Sequence, residues 1–179
     1  LLRRIAHFDG LTQAHTRPYF MDSGSALLAR SATSAVVLLD IDDFKAINDR
    51  HGHDAGDRVL RAVSDTCRAN LRAGDLFARY GGEEFAILLP DTTAVAAGAV
   101  IERMRSAIAA LELDLPDSRT VRVTASFGIT APGQRRPGPA DPSLEQALGA
   151  ADRALYRAKR GGKNRILFDL EPVGVAMSA

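Results

Sequence analysis

The apolar residues of this chain change period several times, and each change marks an element. Val36-Val37-Leu38-Leu39 is an unbroken aliphatic run, the pattern of a strand buried on both faces. It ends abruptly in charge at Asp40-Ile41-Asp42-Asp43. Val59, Val63, Cys67 and Leu71 recur every four residues and predict a helix over about 55–71. Two apolar runs, 76–80 and 85–89, flank Gly81-Gly82 and read as a hairpin. Pro90-Asp91-Thr92-Thr93 ends the second run and caps a further helix reaching about Leu111. Val121, Val123, Ala125, Phe127 and Ile129 alternate, which predicts a strand with one buried face. Leu144, Leu148, Ala151 and Leu155 form the apolar stripe of a helix that begins at Ser143. Phe20, Leu27 and Leu28 suggest an amphipathic helix over about 18–30, and a short helix follows Phe44 up to a turn at His51-Gly52-His53. Ile166-Leu167-Phe168 reads as a last strand.

This order predicts an α/β (α+β) domain with a mixed central sheet flanked by helices and a ferredoxin-like βαββαβ core. The chain has 179 residues, enough for one domain with a sizeable core. With 46% hydrophobic and 25% charged residues it reads as soluble and globular. A net charge of +1 gives no general attraction to nucleic acid or to an anionic membrane. Cys67 is the only cysteine, so no internal disulfide forms and a reducing, cytoplasmic setting is expected. No apolar run approaches the roughly 20 residues of a membrane span, and no signal peptide is visible. The first residue is Leu1 rather than methionine, so the domain is expected to derive from a longer protein. Residues 1–8 then read as the end of an upstream linker helix, 9–169 as the domain, and 170–179 as a frayed tail.

Three carboxylates carry the candidate chemistry. Asp40 lies at a strand end; Glu83 and Glu84 lie at the hairpin tip. On neighbouring strands they can converge and offer the hard oxygen ligands that Mg²⁺ requires. Two such ions can flank the attacking and leaving oxygens of a nucleotidyl transfer. Lys45, Lys159 and Lys163 are cations suited to a triphosphate. The alternative is that acids at strand ends and turns are simply solvated. Arg72-Ala73-Gly74-Asp75, an Arg-x-x-Asp sequence five residues before Gly81, taken alone reads as a charged helix end.

The motifs resemble one family throughout. Arg79-Tyr80-Gly81-Gly82-Glu83-Glu84-Phe85 resembles the signature of the GGDEF family of diguanylate cyclases, in its GGEEF form. Asp9-Gly10-Leu11-Thr12, Asp40-Ile41-Asp42-Asp43-Phe44-Lys45, Ile47-Asn48-Asp49, Gly52-His53-Asp54-Ala55-Gly56-Asp57, Ser126-Phe127-Gly128-Ile129, the run from Ala151 to Lys159, and Gly162-Lys163-Asn164 resemble its other blocks, in family order. The resemblance implies a nucleotide-cyclase, palm-like fold that condenses two GTP into cyclic di-GMP and pyrophosphate at the interface of a homodimer. It implies two Mg²⁺ (or Mn²⁺) held by Asp40, Glu83, Glu84 and the Ile41 carbonyl, with Asp40, Glu83 and Glu84 catalytic. It assigns the guanine to Asn48 and Asp57. Leu60 would pack beside the base, or is equally a plain core leucine. The phosphates would meet Lys45, Lys159, Lys163 and the backbone amides of Asp43 and Phe44, while Gly81 and Gly82 allow a close turn. It also implies a product-binding inhibitory site at Arg72 and Asp75, supported by Arg103, and an upstream sensory domain in the parent protein. The opening turn departs from the family pattern after Thr12, and Lys163 stands where an arginine is common. The alternative function within the family is a catalytically weak module that binds GTP or cyclic di-GMP as a receptor.

Overall fold

The computed structural model describes residues 7–131 and 142–169. Residues 1–6, 132–141 and 170–179, which hold most of the expected upstream helix end and the expected tail, lie outside the described residues. In chain order the elements are β1 (His15–Thr16), α1 (Arg17–Arg30), β2 (Ser34–Ile41), α2 (Phe44–His51), α3 (His53–Ala69), β3 (Leu76–Arg79), β4 (Glu84–Pro90), α4 (Ala94–Ala109), β5 (Leu113–Asp114), β6 (Thr120–Val121), β7 (Ala125–Thr130), α5 (Leu144–Arg160) and β8 (Ile166–Asp169). Six strands form one sheet in the order β1-β3-β4-β2-β7-β8. The central pairs β3–β4, β4–β2 and β2–β7 are antiparallel, while the outer pairs β1–β3 and β7–β8 are parallel. The inner four strands and their helices give the expected βαββαβ core.

Strand periodicity divides the interior in two. Along β2, Ala35, Val37, Leu39 and Ile41 enter a core shared with Val59, Val63 and Cys67 of α3 and Ile101, Met104 and Ile108 of α4. Val36 and Leu38 point the other way, into a core with Phe20 and Leu28 of α1 and Leu144, Leu148 and Leu155 of α5. Helix starts follow their caps. Thr93 accepts from the Ala96 N–H, and Ser143 with Gln146 forms a capping box.

Two expectations need correction. β7 is buried on both faces, not one. Phe127 and Ile129 enter the α3–α4 core, while Gly128 lies under α5, where a Cβ would fall 2.0 Å from the Ala151 carbonyl oxygen. Small residues on that face mimic an exposed polar pattern. Val121, expected in the same strand, belongs to the separate ribbon β5–β6. At the other end of the chain, His15 is half-buried and stacks on Phe8 and Tyr19.

Candidate active site

Alternation along β2 decides which side of the sheet its acidic end serves. Asp40 continues the Val36 and Leu38 face, so it points toward α5. Gly128 lets α5 pack directly on β7, which brings Lys159, in the last turn of α5, over the end of β2. The Lys159 Nζ stands 2.6 Å from Asp40 Oδ1 and 2.8 Å from Asp42 Oδ1. Burial lowers the Lys159 pKa, but the hydrogen bonds to Asp40 and Asp42 outweigh it and hold the ammonium above its ordinary range.

The hairpin delivers the other two acids. Asp40 pairs in register with Glu84 across β2 and β4, and the Ile41 N–H donates to the Glu83 carbonyl at 3.2 Å. The connection is longer than a two-residue turn, spanning 80–83, and neither Gly81 nor Gly82 needs a left-handed φ. A Cβ on Gly81 would approach Glu84 Oε2 to 3.0 Å; one on Gly82 would meet nothing within 4 Å. The turn is held from outside. Arg79 donates to the Gly82 carbonyl from Nε (3.1 Å) and Nη2 (2.8 Å), and its Nη1 reaches Asp9 Oδ1 at 3.2 Å. Asp9 in turn accepts from the Thr12 N–H and hydroxyl at 2.9 and 2.7 Å. The opening turn and the hairpin tip are thereby one hydrogen-bonded unit. The Asp9–Arg79 link joins residues 70 apart, so no local pattern reveals it. Arg17 also stacks over the Tyr80 ring at 4.2 Å.

The electrostatics are those of crowded acids. Burial raises the Asp40 carboxyl above its ordinary range, and Glu83 and Asp42 push the same way against Lys159. Burial raises Glu84 too, with Asp40, Asp152 and Glu83 adding to it against Arg17. Among the described residues no three His, Cys, Asp or Glu side chains stand together as a ready-made metal ligand set. The donor chemistry nevertheless suits a hard divalent ion. Asp40 and Glu84 carry charge that their surroundings penalise, and such an ion relieves that penalty.

The expected base-binding residues lie on α2 and α3. Asn48 packs directly on Gly56, where a Cβ would fall 1.9 Å from Asn48 Oδ1. That oxygen is buried and has no hydrogen-bond partner among the described residues. Asp57 is half-buried and lines a cavity of about 450 Å³ together with His51, Arg58 and Pro116. Leu60 is 3% exposed and belongs to the α3–α4 core. Lys45 is exposed and pairs with Asp49 at 3.1 Å. Lys163 pairs with Asp43 at 2.5 Å. Asp43 takes a left-handed φ of 54° at the start of α2, ahead of Phe44.

The Arg72–Asp75 turn lies at the other end of β3. Leu76 opens that strand opposite Leu88, and Arg79 closes it opposite Phe85, so about 10 Å of strand separates the turn from the hairpin tip. Asp75 accepts from the Arg72 N–H at 2.9 Å and Nε at 3.1 Å. Arg72 Nη2 also donates to the Pro90 carbonyl and the Thr92 hydroxyl. Arg103 bonds the Asn70 side chain at 2.9 Å and its carbonyl at 3.0 Å, two residues before Arg72.

Comparison with known proteins places the chain in a family. The family description "Diguanylate cyclase, GGDEF domain" matches residues 6–165. The diguanylate cyclase DgcP of Pseudomonas aeruginosa is 43% identical over 166 residues, 93% of this chain but 22% of that protein. The response regulator PleD of Caulobacter vibrioides is 36% identical over 168 residues, 91% of this chain and 36% of PleD. The chain thus spans well under half the length of these relatives. The crystal structure of the GGDEF domain of DgcB from Caulobacter crescentus, in complex with c-di-GMP, superposes with a TM-score of 0.85 at 34% identity, covering 94% of this chain and 96% of that one. SiaD of Pseudomonas aeruginosa, solved with its activator SiaC, gives a TM-score of 0.83 at 36% identity, covering 93% of this chain and 63% of that one. Fold, motifs and relatives converge, and the chain belongs to the GGDEF diguanylate cyclase family.

Proposed function

We propose that this domain is a diguanylate cyclase that condenses two GTP into cyclic di-GMP. The observation that carries the reading is the acidic end of β2 and β4, where half-buried Asp40 and Glu84 are raised first by burial and then by like charges, with Lys159 2.6 Å from Asp40. In each of two steps the 3′-hydroxyl oxygen of one GTP attacks the α-phosphorus of the other. The bond to the leaving pyrophosphate breaks, and the hydroxyl proton passes to Glu84 or to solvent. Two domains must face each other for both bonds to form, so catalysis requires a homodimer. Asp40, Glu83, Glu84 and the Ile41 carbonyl would hold two Mg²⁺ or Mn²⁺ ions. Bound there, the metal supplies Lewis-acid polarisation of the phosphate oxygens and eases loss of the hydroxyl proton.

Lys159 releases Asp40 and Lys163 releases Asp43 to take the phosphates, with Lys45 and the amides of Asp43 and Phe44 beside them. Asn48, with its unpartnered oxygen, and Asp57 read the guanine edge; Gly81 and Gly82 keep the turn bare. Cyclic di-GMP binds Arg72 and Asp75, with Arg103 in support, and slows its own synthesis. The 9–169 unit operates in the cytoplasm, where GTP resides, under an upstream sensory domain. No helix among the described residues is long and apolar enough to cross a membrane.

The test is incubation with GTP and Mg²⁺ and identification of the product by mass. Cyclic di-GMP with two pyrophosphates is expected. Binding without turnover leaves a receptor module. Base choice is checked in the same assay. A carboxylate accepts two hydrogens from guanine N1 and N2, and adenine offers no such pair. Asp57→Ser is therefore expected to erode the preference for GTP over ATP by about a hundredfold. Equal competition by ATP in the unsubstituted domain removes that role from Asp57.

A further inference from the structure

Asp42 differs from both of its acidic neighbours. Its side chain is 3% exposed, against 22% for Asp40 and 63% for Asp43. Each of its oxygens takes two donors. Oδ1 accepts from Ser126 Oγ at 2.7 Å and from Lys159 Nζ at 2.8 Å. Oδ2 accepts from Thr124 Oγ1 at 2.7 Å and from the Asn164 N–H at 2.9 Å. Its own N–H donates to the Thr124 carbonyl at 2.8 Å. A carboxylate offers about four lone-pair sites, so these bonds leave no capacity for a metal or a nucleotide.

The donors come from β7 and the residue before it, from the end of α5, and from the loop between α5 and β8. That loop is held in an unfavourable shape. Lys163 and Asn164, both non-glycine, have left-handed φ values of 63° and 46°, a conformation that persists only where the surroundings enforce it. Asp42 grips the Asn164 N–H, and Arg105 Nη1 grips Asn164 Oδ1 at 2.7 Å. The loop in turn delivers the Lys163 ammonium to Asp43.

We infer that Asp42 is a positioning residue that anchors Lys159 and the Lys163–Asn164 loop at the end of β2, so that two ammonium groups stand ready for a triphosphate. The inference rests on the reading of this end of the sheet as the GTP site. Asp42 itself touches neither metal nor nucleotide. Its charge balances Lys159 and fixes the lysine's starting position, while Asp40 is the carboxylate that changes partner.

Steady-state rates of the domain, with GTP and Mg²⁺ varied independently, test this. Asp42→Asn keeps the shape but sets an amide nitrogen against a donor and removes the charge facing Lys159. It is expected to raise KM for GTP roughly tenfold to a hundredfold, to lower kcat less, and to leave the Mg²⁺ midpoint at saturating GTP unchanged. Thr124→Val, which spares the charge, is expected to raise KM in the same direction by less. The KM effects of Asp42→Asn and Lys159→Ala are expected to be less than additive, because one residue acts through the other. A shifted Mg²⁺ midpoint like that of Asp40→Asn makes Asp42 a ligand and overturns the inference. So does a fall in melting temperature with KM unchanged, or full additivity with Lys159→Ala. If Asp42→Asn fails to fold, the KM of Thr124→Val decides. If the unsubstituted domain does not turn over GTP, the reading of the site fails and takes the inference with it. Normal turnover with an unaltered Asp42→Asn KM sinks the inference alone.

Discussion

The two ends of β3 carry charged clusters of opposite character. At the hairpin end, Asp40, Glu83 and Glu84 repel one another, and burial with like charge raises Asp40 and Glu84. At the other end, Asp75 is 3% exposed, yet its oxygens accept from Arg72, whose further donors go to Pro90 and Thr92. The first cluster is poised against itself; the second is internally balanced. A turn that satisfies its own groups is accounted for by folding. Charge that the fold penalises needs a counter-ion or a ligand. Arg72 keeps 60% of its side chain exposed, so the balanced turn can still offer donors to a product.

The largest difference between the two ends should appear in catalysis. Asp40→Ala and Glu83→Ala are each expected to cost a thousandfold or more in cyclic di-GMP formation, roughly the scale of losing electrostatic stabilisation at a reacting phosphate. Both variants should still fold, since removing one of several like charges relieves repulsion. Arg72→Ala should leave the initial rate intact. Measured at protein concentrations that favour pairing, near-normal turnover by either alanine variant would dissolve the contrast.

Much of this was legible in the sequence, for physical reasons that differ by element. The aliphatic run from Val36 to Leu39 and the four-residue repeat through α3 are strong periodic signals, and the structure has both elements where the pattern put them. The carboxylates were legible as a resemblance carried by motif order. Short elements were not. β1, β5 and β6 have two residues each, too few to show a period. The buried second face of β7 was hidden because Gly128 and Ser126 read as polar or neutral while α5 covers them. Asp42 was hidden beside Asp40, although period-two alternation already puts the two on one face. The bonds that single it out come from residues more than 80 positions away. The clamp from Asp9 through Arg79 to Gly82 was equally long-range.

A smaller effect is expected at the balanced end. Arg72→Ala removes a charged donor, a loss of about 1.5–3 kcal/mol, or roughly tenfold to a hundredfold in affinity for product. Progress curves should then run longer at an unchanged initial rate, and added cyclic di-GMP should inhibit less. Inhibition of the unsubstituted domain should be non-competitive with GTP, because the turn and the carboxylates sit at opposite ends of β3. The same variant strands the buried Asp75 carboxylate, so its stability should also fall. If stability falls while sensitivity to added product stays equal, Arg72 and Asp75 are a structural turn only. Purely competitive inhibition places the product among the carboxylates.

The smallest effect concerns stability, and its sign separates the two kinds of carboxylate. Glu84 has a raised pKa, so the folded state binds its proton more tightly than the unfolded chain does. Between the ordinary glutamate range and the raised value the native state holds more protons, and stability falls as pH rises through that window. The penalty is complete above it and absent below it. Glu84→Gln is therefore expected to raise the melting temperature by about 2 °C near neutral pH and to give no gain once the medium is acidic enough to protonate the wild-type group. Asp42 has the opposite sign. Burial pushes its carboxyl up, but the hydrogen bonds from Lys159, Thr124, Ser126 and the Asn164 N–H outweigh this and hold it below the ordinary aspartate range. Its contribution is present above that range and is lost as pH falls through the depressed value. Melting curves of wild type, Glu84→Gln and Asp42→Asn across an acid-to-neutral series should thus diverge at neutral pH, one variant above wild type and one below. Both should draw toward it in acid. A Glu84→Gln variant less stable than wild type at neutral pH would mean that Glu84 is paid for within the fold, and that the hairpin end is as balanced as the Arg72 turn.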